Sequence, residues 1–226
     1  MSLWVKICGN TSLADAQLAA DAGADAVGFV FAPSPRRVTP EQVAAIVPHL
    51  PASVEKIGVF VEASFDTIAA TVEQCGLTGV QLHSAALEDL ASRLRERFGA
   101  TLRIIQVLHF GQEAAEGVKT VEANPNIDAL LIDSRTVTAV GGTGIAFDWY
   151  AARTQIFGDH GRLRFIAAGG LTPENVAEAI AILSPWGVDV ATGVEASPGR
   201  KDPQKIRAFV TNARATTLHS IANPVH

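Results

Sequence analysis

Cysteine is scarce in this chain, with Cys8 and Cys75 the two present among 226 residues. Two cysteines are too few for a disulfide framework or a cysteine-rich zinc site, and they fit a reducing, cytoplasmic setting best. The chain also lacks an uninterrupted apolar run of about 18 residues, the length that spans a membrane. Its first residues contain no basic segment followed by a long apolar stretch, so we expect no signal peptide.

Charge of one sign is not concentrated in any segment, and the formal net charge is −5 with a pI near 5.7. These values argue against nucleic acid or an anionic membrane as the main partner. The apolar fraction of 48% and the mean hydropathy of +0.22 are sufficient for a large core. No linker or shift in composition divides the chain, so we predict a single domain.

Short β-branched runs alternate with longer alanine-rich segments along the chain. The runs predict strands at 4–8, 26–31, 56–60, 79–82, 102–108, 129–133, 164–168 and 188–192. The intervening segments predict helices at 12–22, 40–47, 64–75, 85–98, 112–122, 147–153, 173–183 and 203–213. This alternation predicts an α/β fold, a single-domain (β/α)8 TIM barrel over 1–214, followed by a tail at 215–226 that we expect to fray. A doubly wound open sheet is the structural alternative.

Three predicted helices carry a sequence signal at their N-terminus. The dipeptides Thr39-Pro40, Thr172-Pro173 and Asp202-Pro203 each place a capping residue before a proline. Proline is favoured at the first helical position, where its missing N–H would have no helical partner. We therefore expect helices to begin at all three prolines.

Two predicted strands end in a group that can carry a proton, Cys8 and Asp133. Parallel α/β folds bind ligands at the carboxyl ends of their strands, so both groups would lie at one rim. The thiolate is the basic form of cysteine, and the neighbouring Lys6 would lower its pKa. Asp189 in the eighth strand is expected to pair with Lys6, which would weaken that effect. A packed cysteine and a turn-forming aspartate are the alternatives.

Glycine-rich loops follow the last three predicted strands. Such loops let backbone N–H groups approach an anion, and the loops after strands 7 and 8 of TIM barrels often bind phosphate. Ordinary turn glycine is the alternative. The candidate residues for binding substrate in these loops are Gly142, Gly144, Gly169, Gly170, Thr192 and Gly193.

Arg36 lies in a loop that Pro33 and Pro35 stiffen, and its guanidinium suits a carboxylate or a phosphate. A solvated loop arginine is the alternative. His83 ends the fourth predicted strand, where a place at the rim and a structural hydrogen bond are both open. Cys75 falls at the end of a predicted helix, and we expect it to serve packing alone.

Several segments, taken in order from Lys6 to about Asp202, resemble one known family. They read KICGN (6–10), GFVFAPSPR (28–36), GVF (58–60), QLH (81–83), LLID (130–133), GGTGIAFDW (141–149), AGGLTPENV (168–176), GVDVATGVE (187–195) and PGRKD (198–202). Any one of them could arise by chance, but the ordered set is specific. It is similar to that of the phosphoribosylanthranilate isomerases of tryptophan biosynthesis.

The resemblance implies a (β/α)8 barrel that performs an Amadori rearrangement without metal or cofactor. It implies Cys8 as general base, Asp133 as general acid, Arg36 as the partner of the anthranilate carboxylate, and the glycine loops as the phosphate site. The partner is then a small phosphorylated substrate, with no nucleic acid or membrane. Separately from the resemblance, we expect a monomer or a homodimer. Ser84 and Ala191-Thr192 depart from the family pattern. Thr192 keeps a hydroxyl, whereas Ser84 leaves the shape of its loop open.

Two other functions are alternatives for this chain. Another phosphosugar barrel would be expected to carry paired carboxylates or metal ligands at its strand ends, where this chain has Cys8. A silent barrel that senses a phosphorylated metabolite would be expected to have lost Cys8 or Asp133, and this chain keeps both.

Overall fold

The eight strands of the barrel begin and end close to the apolar runs of the sequence. In the computed structural model they are β1 (Trp4–Ile7), β2 (Ala26–Val30), β3 (Glu55–Val61), β4 (Gly79–His83), β5 (Arg103–His109), β6 (Ala129–Asp133), β7 (Arg164–Ala168) and β8 (Gly187–Val190). Each strand pairs in parallel with the next, and β1 also pairs with β8, which closes the sheet. The predicted TIM barrel is confirmed, and the alternative of an open sheet is wrong. The structure describes residues 3–83, 87–111, 114–133, 149–157 and 163–222.

The helices alternate with the strands. They are α1 (Leu13–Asp21), α2 (Pro40–Ile46), α3 (Phe65–Cys75), α4 (Leu87–Phe98), α5 (Ala114–Ala123), α6 (Trp149–Gln155), α7 (Val176–Leu183) and α8 (Pro203–Ala222). A small antiparallel hairpin of β9 (Glu195–Ser197) and β10 (Arg200–Lys201) separates β8 from α8. Within the described ranges, no helix combines the length and the apolar character needed to cross a membrane.

Two of the three expected helix starts are confirmed. The Thr39 hydroxyl accepts a hydrogen bond from the Gln42 amide, and the Gln42 side chain accepts one from the Thr39 amide. The Asp202 carboxylate accepts hydrogen bonds from the amides of Gln204 (2.8 Å) and Lys205 (3.1 Å). Both caps satisfy backbone donors that would otherwise have no partner at a helix end.

The third expected start is wrong, because α7 begins at Val176 and not at Pro173. The Asn175 side chain accepts from the Thr172 amide (2.8 Å) and donates to the Gly170 carbonyl (3.0 Å). These bonds hold the segment before α7 in a turn.

The ends of β8 and of the last helix also differ from expectation. β8 ends at Val190, where its carbonyl accepts from the Cys8 amide (2.8 Å), and Thr192 begins a short 3-10 turn. The last helix continues past residue 213 to Ala222. The division into a barrel at 1–214 and a frayed tail at 215–226 stays a prediction, and residues 223–226 lie outside the described ranges.

The barrel interior contains an apolar layer and a polar layer. Trp4 stacks on Trp186 with ring centroids 5.2 Å apart. The apolar layer consists of Trp4, Ala26, Ile57, Ile105, Val107, Ala129, Leu131, Ile166 and Ala168. Lys6, Gln81 and Asp189 are buried polar side chains of the interior, and Gln81 and Asp189 also line the cavity at the carboxyl ends of the strands.

Candidate active site

A cavity of about 440 Å³ opens at the carboxyl ends of the barrel strands. This is the rim at which TIM barrels carry their functional residues. Gly142 and Gly144 lie outside the described residues, as does Ser84. The predicted site residues that the structure brings together in the cavity wall are Cys8, Arg36, Asp133, Gly169, Gly170, Thr192 and Gly193.

The Cys8 thiol directly follows β1 and is buried in the cavity wall, with 7% of the residue exposed. Burial raises the pKa of this thiol above its ordinary value of 9.0. The cations of Lys6 and Lys201 oppose the rise, whereas the Asp189 carboxylate adds to it. Lys6 thus lowers the pKa of Cys8 as expected, but desolvation outweighs this effect and the net shift is upward.

Lys6 is fully buried beneath the cavity. Its Nζ donates to Asp189 Oδ1 (2.9 Å) and to Gln81 Oε1 (2.7 Å), which confirms the expected pairing with Asp189. Burial lowers the pKa of Lys6, but the negative charges of the Asp189 carboxylate and the Cys8 thiolate raise it by more, and the pKa lies above 10.5. Lys6 is therefore a permanent cation beneath the thiol.

A hydrogen-bond chain leads from Lys6 to His83 at the end of β4. Gln81 Oε1 accepts from Lys6, since an ammonium has only donors, so the Gln81 amide nitrogen faces the other way. That nitrogen lies 3.1 Å from His83 Nε2 and can only donate to it. The contact therefore requires His83 to leave Nε2 unprotonated and to carry its proton on Nδ1. Because His83 also lines the cavity, both alternatives left open for it, a rim position and a structural hydrogen bond, are realised.

Asp133 ends β6 on the side of the barrel that also contributes Leu131 and Ala168 to the cavity. The residue is buried, with 8% exposed, and its carbonyl accepts from the Phe110 amide (3.0 Å). Strands β7 and β8 separate β6 from β1 around the barrel. Asp133 and Cys8 therefore line one cavity from different strands, as the sequence predicts.

Arg36 lies at the rim in a cluster with Glu195 and Lys201. Its Nε and Nη2 donate to the two carboxylate oxygens of Glu195, both at 2.7 Å. Lys201 Nζ donates to Glu195 Oε1 (3.2 Å) and to the carbonyls of Cys8 (2.6 Å) and Ala191 (3.1 Å). Burial raises the pKa of Glu195, but the hydrogen bond from Arg36 and the charge of Lys201 lower it by more than burial raises it. The pKa of Glu195 therefore lies below 4.5.

The loops after β7 and β8 pack directly against each other. A Cβ atom at Gly193 would lie 1.9 Å from the Leu171 carbonyl oxygen, so no other residue fits there without moving the backbone. Gly169 and Gly170 both have positive φ, at +83° and +67°, where glycine is favoured. These glycines have a structural reason to be present, whatever they bind.

Three polar residues of the site had no role in the sequence argument: Gln81, Glu195 and Lys201. Each lies in a segment that carries the family resemblance, and Gln81 interrupts an apolar strand. Their roles depend on partners far away in the chain, such as Arg36 for Glu195, and no local pattern identifies such a partner.

Across the part of the chain that the structure describes, no group of three or more His, Cys, Asp or Glu side chains could hold a metal ion.

The closed barrel and the thiol, carboxyl and guanidinium groups around its rim cavity place the chain in the class of TIM-barrel enzymes. A family model described as N-(5'-phosphoribosyl)anthranilate (PRA) isomerase matches residues 5–212. The N-(5'-phosphoribosyl)anthranilate isomerase of Pelobacter propionicus is 43% identical over 96% of this chain and 98% of its own length. The chain belongs to this family, the PRA isomerases of tryptophan biosynthesis.

Solved structures agree with this assignment. Phosphoribosyl anthranilate isomerase from Thermotoga maritima superposes with a TM-score of 0.83 at 36% identity, covering 94% of this chain and 99% of that one. A phosphoribosyl anthranilate isomerase in complex with reduced 1-(o-carboxyphenylamino)-1-deoxyribulose 5-phosphate gives a TM-score of 0.79 at 34% identity, with the same coverage. The TIM-barrel fold and the family are thus supported by sequence and by structure.

Proposed function

We propose that Cys8 is the general base and Asp133 the general acid of the Amadori rearrangement of phosphoribosylanthranilate. The product is 1-(2-carboxyphenylamino)-1-deoxyribulose 5-phosphate. Membership of the family supports the reaction, and one observation carries the residue assignment: both side chains line the same rim cavity. The proposal needs no metal or cofactor, because side chains perform both proton transfers.

In the first step Asp133 donates a proton to the furanose ring oxygen. The bond between this oxygen and C1 breaks, and the nitrogen lone pair forms the C1=N bond of a protonated Schiff base. Asp133 becomes a carboxylate. Its buried position at the end of an apolar strand supports this role, because a water-poor site favours direct transfer to the substrate.

In the second step the Cys8 thiolate removes the proton from C2, next to the imine. The electron pair of the C–H bond forms C1=C2 and neutralises the nitrogen, and the resulting enolamine tautomerises to the ketone. The raised pKa of Cys8 makes its thiolate a stronger base than an ordinary one, and Lys6 beneath it stabilises the negative charge. Cys8 loses its gained proton and Asp133 regains one by exchange with water after product release.

The two ends of the substrate are anionic, and the proposal assigns a binding group to each. Arg36 binds the ring carboxylate, and the loops with Gly169, Gly170, Thr192 and Gly193 bind the phosphate together with Gly142 and Gly144. The relative solved in complex with a reduced carboxyphenylamino-deoxyribulose phosphate supports a ligand of this class. Binding at both ends would hold the reacting carbons between Cys8 and Asp133.

A cytoplasmic location and a monomeric or homodimeric state stay predictions of the sequence.

Growth of a tryptophan auxotroph that lacks only this isomerase tests the proposal. We expect the wild-type chain to restore growth without tryptophan, and Cys8→Ala and Asp133→Asn to fail at equal protein level. Growth supported by either variant at the wild-type rate would contradict its catalytic role.

A further inference from the structure

The guanidinium of Arg36 offers two edges for a carboxylate, and one of them is occupied. Glu195 takes the edge formed by Nε and Nη2, with both contacts at 2.7 Å. The other edge consists of Nη1 and the second hydrogen of Nη2, which reaches Thr192 Oγ1 at 3.3 Å. Within the described part of the chain, Nη1 has no hydrogen-bond acceptor. Arg36 also lines the cavity, so Nη1 is available to a ligand there, and Nη2 is available in exchange for its contact with Thr192.

The stem of Arg36 is held as well. A Cβ atom at Gly9 would lie only 2.6 Å from Arg36 Cδ. The arginine stem therefore packs directly against the backbone of the residue that follows Cys8. The side chain is mostly buried, with 18% exposed. A long, flexible side chain thus has its stem packed and its head clamped, which removes most of the rotamer freedom that binding would otherwise cost.

Glu195 is a buried carboxylate that accepts hydrogen bonds from three residues. Its side chain is 3% exposed, and besides Arg36 it accepts from Lys201 Nζ (3.2 Å) and from the Gly199 amide (3.4 Å). Lys201 is itself buried and also donates to the carbonyl of Cys8. The cluster therefore ties the proposed base, the arginine and the loop after β8 to one another.

The charges of the cluster leave one positive charge for a ligand. An arginine fully paired with a glutamate would offer little net attraction to a carboxylate. Lys201 adds a second cation, which donates to the same Oε1 of Glu195 that accepts from Arg36 Nε, so two cations face one anion.

We propose that Glu195 is a positioning residue for the substrate carboxylate. It holds one edge of Arg36 so that the other edge faces the cavity, and Lys201 keeps the cluster positive. The inference rests on the proposed contact between Arg36 and the ring carboxylate. Substitution of Glu195 has two opposite effects on the binding of an anion. Removing its charge leaves the cluster more positive and strengthens binding, whereas releasing the Arg36 side chain weakens binding.

The test is calorimetric affinity for two probes, the reduced carboxyphenylamino-deoxyribulose phosphate and the same compound without its ring carboxyl. For Glu195→Gln we expect affinity for the carboxylated probe to fall about tenfold, as for a lost charge-assisted contact, and affinity for the other probe to change less than twofold. In turnover, KM should rise and kcat should stay close to wild type.

The matched control is Glu55→Gln at the opposite end of the barrel. Glu55 makes the same two-oxygen contact with Arg103, at 2.6 and 2.8 Å, and the pair is about three-quarters buried. This variant should lower Tm modestly and leave both affinities unchanged. Melting curves of every variant define the temperatures at which it is folded, and the titrations are done at such temperatures.

Unchanged or tighter binding of the carboxylated probe by Glu195→Gln would overturn the inference, since Arg36 would then need no clamp. Equal losses for both probes would reduce Glu195 to a structural role and overturn it too. Arg36→Met distinguishes these failures from failure of the proposed function. If Arg36→Met weakens the binding of both probes equally, Arg36 does not bind the ring carboxylate. The proposed function of Arg36 is then wrong, independently of Glu195.

Discussion

Gly28 on β2 leaves the space that the Cys8 thiol occupies. A Cβ atom at Gly28 would lie 2.7 Å from Cys8 Sγ and 3.0 Å from Lys6 Cε, both closer than normal packing permits. Residues 6 and 26 are paired across β1 and β2, which brings Gly28 level with the end of β1. The thiol and the buried lysine are thus placed by a missing side chain on the neighbouring strand.

Gly28→Ala is expected to displace the thiol and to reduce kcat at least about tenfold, because a general base must keep its distance to the reacting proton. The barrel should still fold, since a single methyl group in a packed interior costs about 1–3 kcal/mol. The measurements are kcat and Tm.

Gly111→Ala is the control for this substitution, because a Cβ at Gly111 would meet no atom of the described residues within 4 Å. It should leave kcat and Tm unchanged. Wild-type kcat in Gly28→Ala would mean that the position of the thiol is not critical for turnover.

Cys8→Ala is expected to lower kcat at least about 100-fold, the least that loss of a general base costs. Folding and affinity for the reduced product should change little, since the thiol is a small group in the cavity wall. Cys75→Ala is the control: Cys75 is buried away from the cavity, its thiol donates to the Pro40 carbonyl (3.3 Å), and kcat should be unchanged. Retention of more than about a tenth of kcat by Cys8→Ala would exclude Cys8 as the base.

Alkylation of Cys8 as a function of pH tests the direction of its pKa shift. Burial raises the pKa of Cys8 above 9.0, so the reactive thiolate is a minor form below that pH and becomes the major form only above it. The experiment uses iodoacetamide on Cys75→Ala, which removes the second thiol, whose own pKa is raised to about 11. The rate should rise with a midpoint above 9 in the folded chain and near the ordinary value in denaturant.

The same shift has a consequence for stability. A thiol with a higher pKa in the folded state keeps its proton longer there than in the unfolded chain. Its contribution to stability is therefore full below pH 9 and is lost as pH rises through the folded value. A midpoint of alkylation below 9 would show that Lys6, and not burial, governs the thiol.

The placement of Cys8 and Asp133 was predictable because each depends on strand periodicity alone. A strand that ends in a polar residue delivers it to the rim, whatever the rest of the chain does. The pairing of Lys6 with Asp189 was predictable for a related reason, since closure of an eight-stranded barrel makes the first and last strands neighbours.

The features that the sequence could not predict depend on how deeply a group is buried and on contacts between residues far apart in the chain. The direction of the Cys8 shift depends on how much water reaches the thiol, which a neighbouring lysine in the sequence does not reveal. The side chains of Arg36 and Glu195 meet only after the loops following β2 and β8 fold over the rim. The later start of α7 has a similar origin, because the Asn175 side chain bonds the Thr172 amide and the Gly170 carbonyl and holds the segment before the helix in a turn.

Asp133→Asn separates a catalytic acid from a structural aspartate, because asparagine keeps the size and the hydrogen bonds of the side chain but delivers no proton. We expect kcat to fall at least about 100-fold, with affinity for the reduced product within about twofold of wild type and Tm nearly unchanged.

Asp128→Asn, just before the same strand, is the matched control. Asp128 accepts from Arg95 (2.7 Å) and from the Ile104 amide (2.8 Å), at the end of the barrel opposite the cavity. Its substitution should lower Tm and spare kcat, the reverse pattern. Normal kcat in Asp133→Asn, or a fall in Tm large enough to explain the lost activity, would contradict the role of Asp133 as the acid.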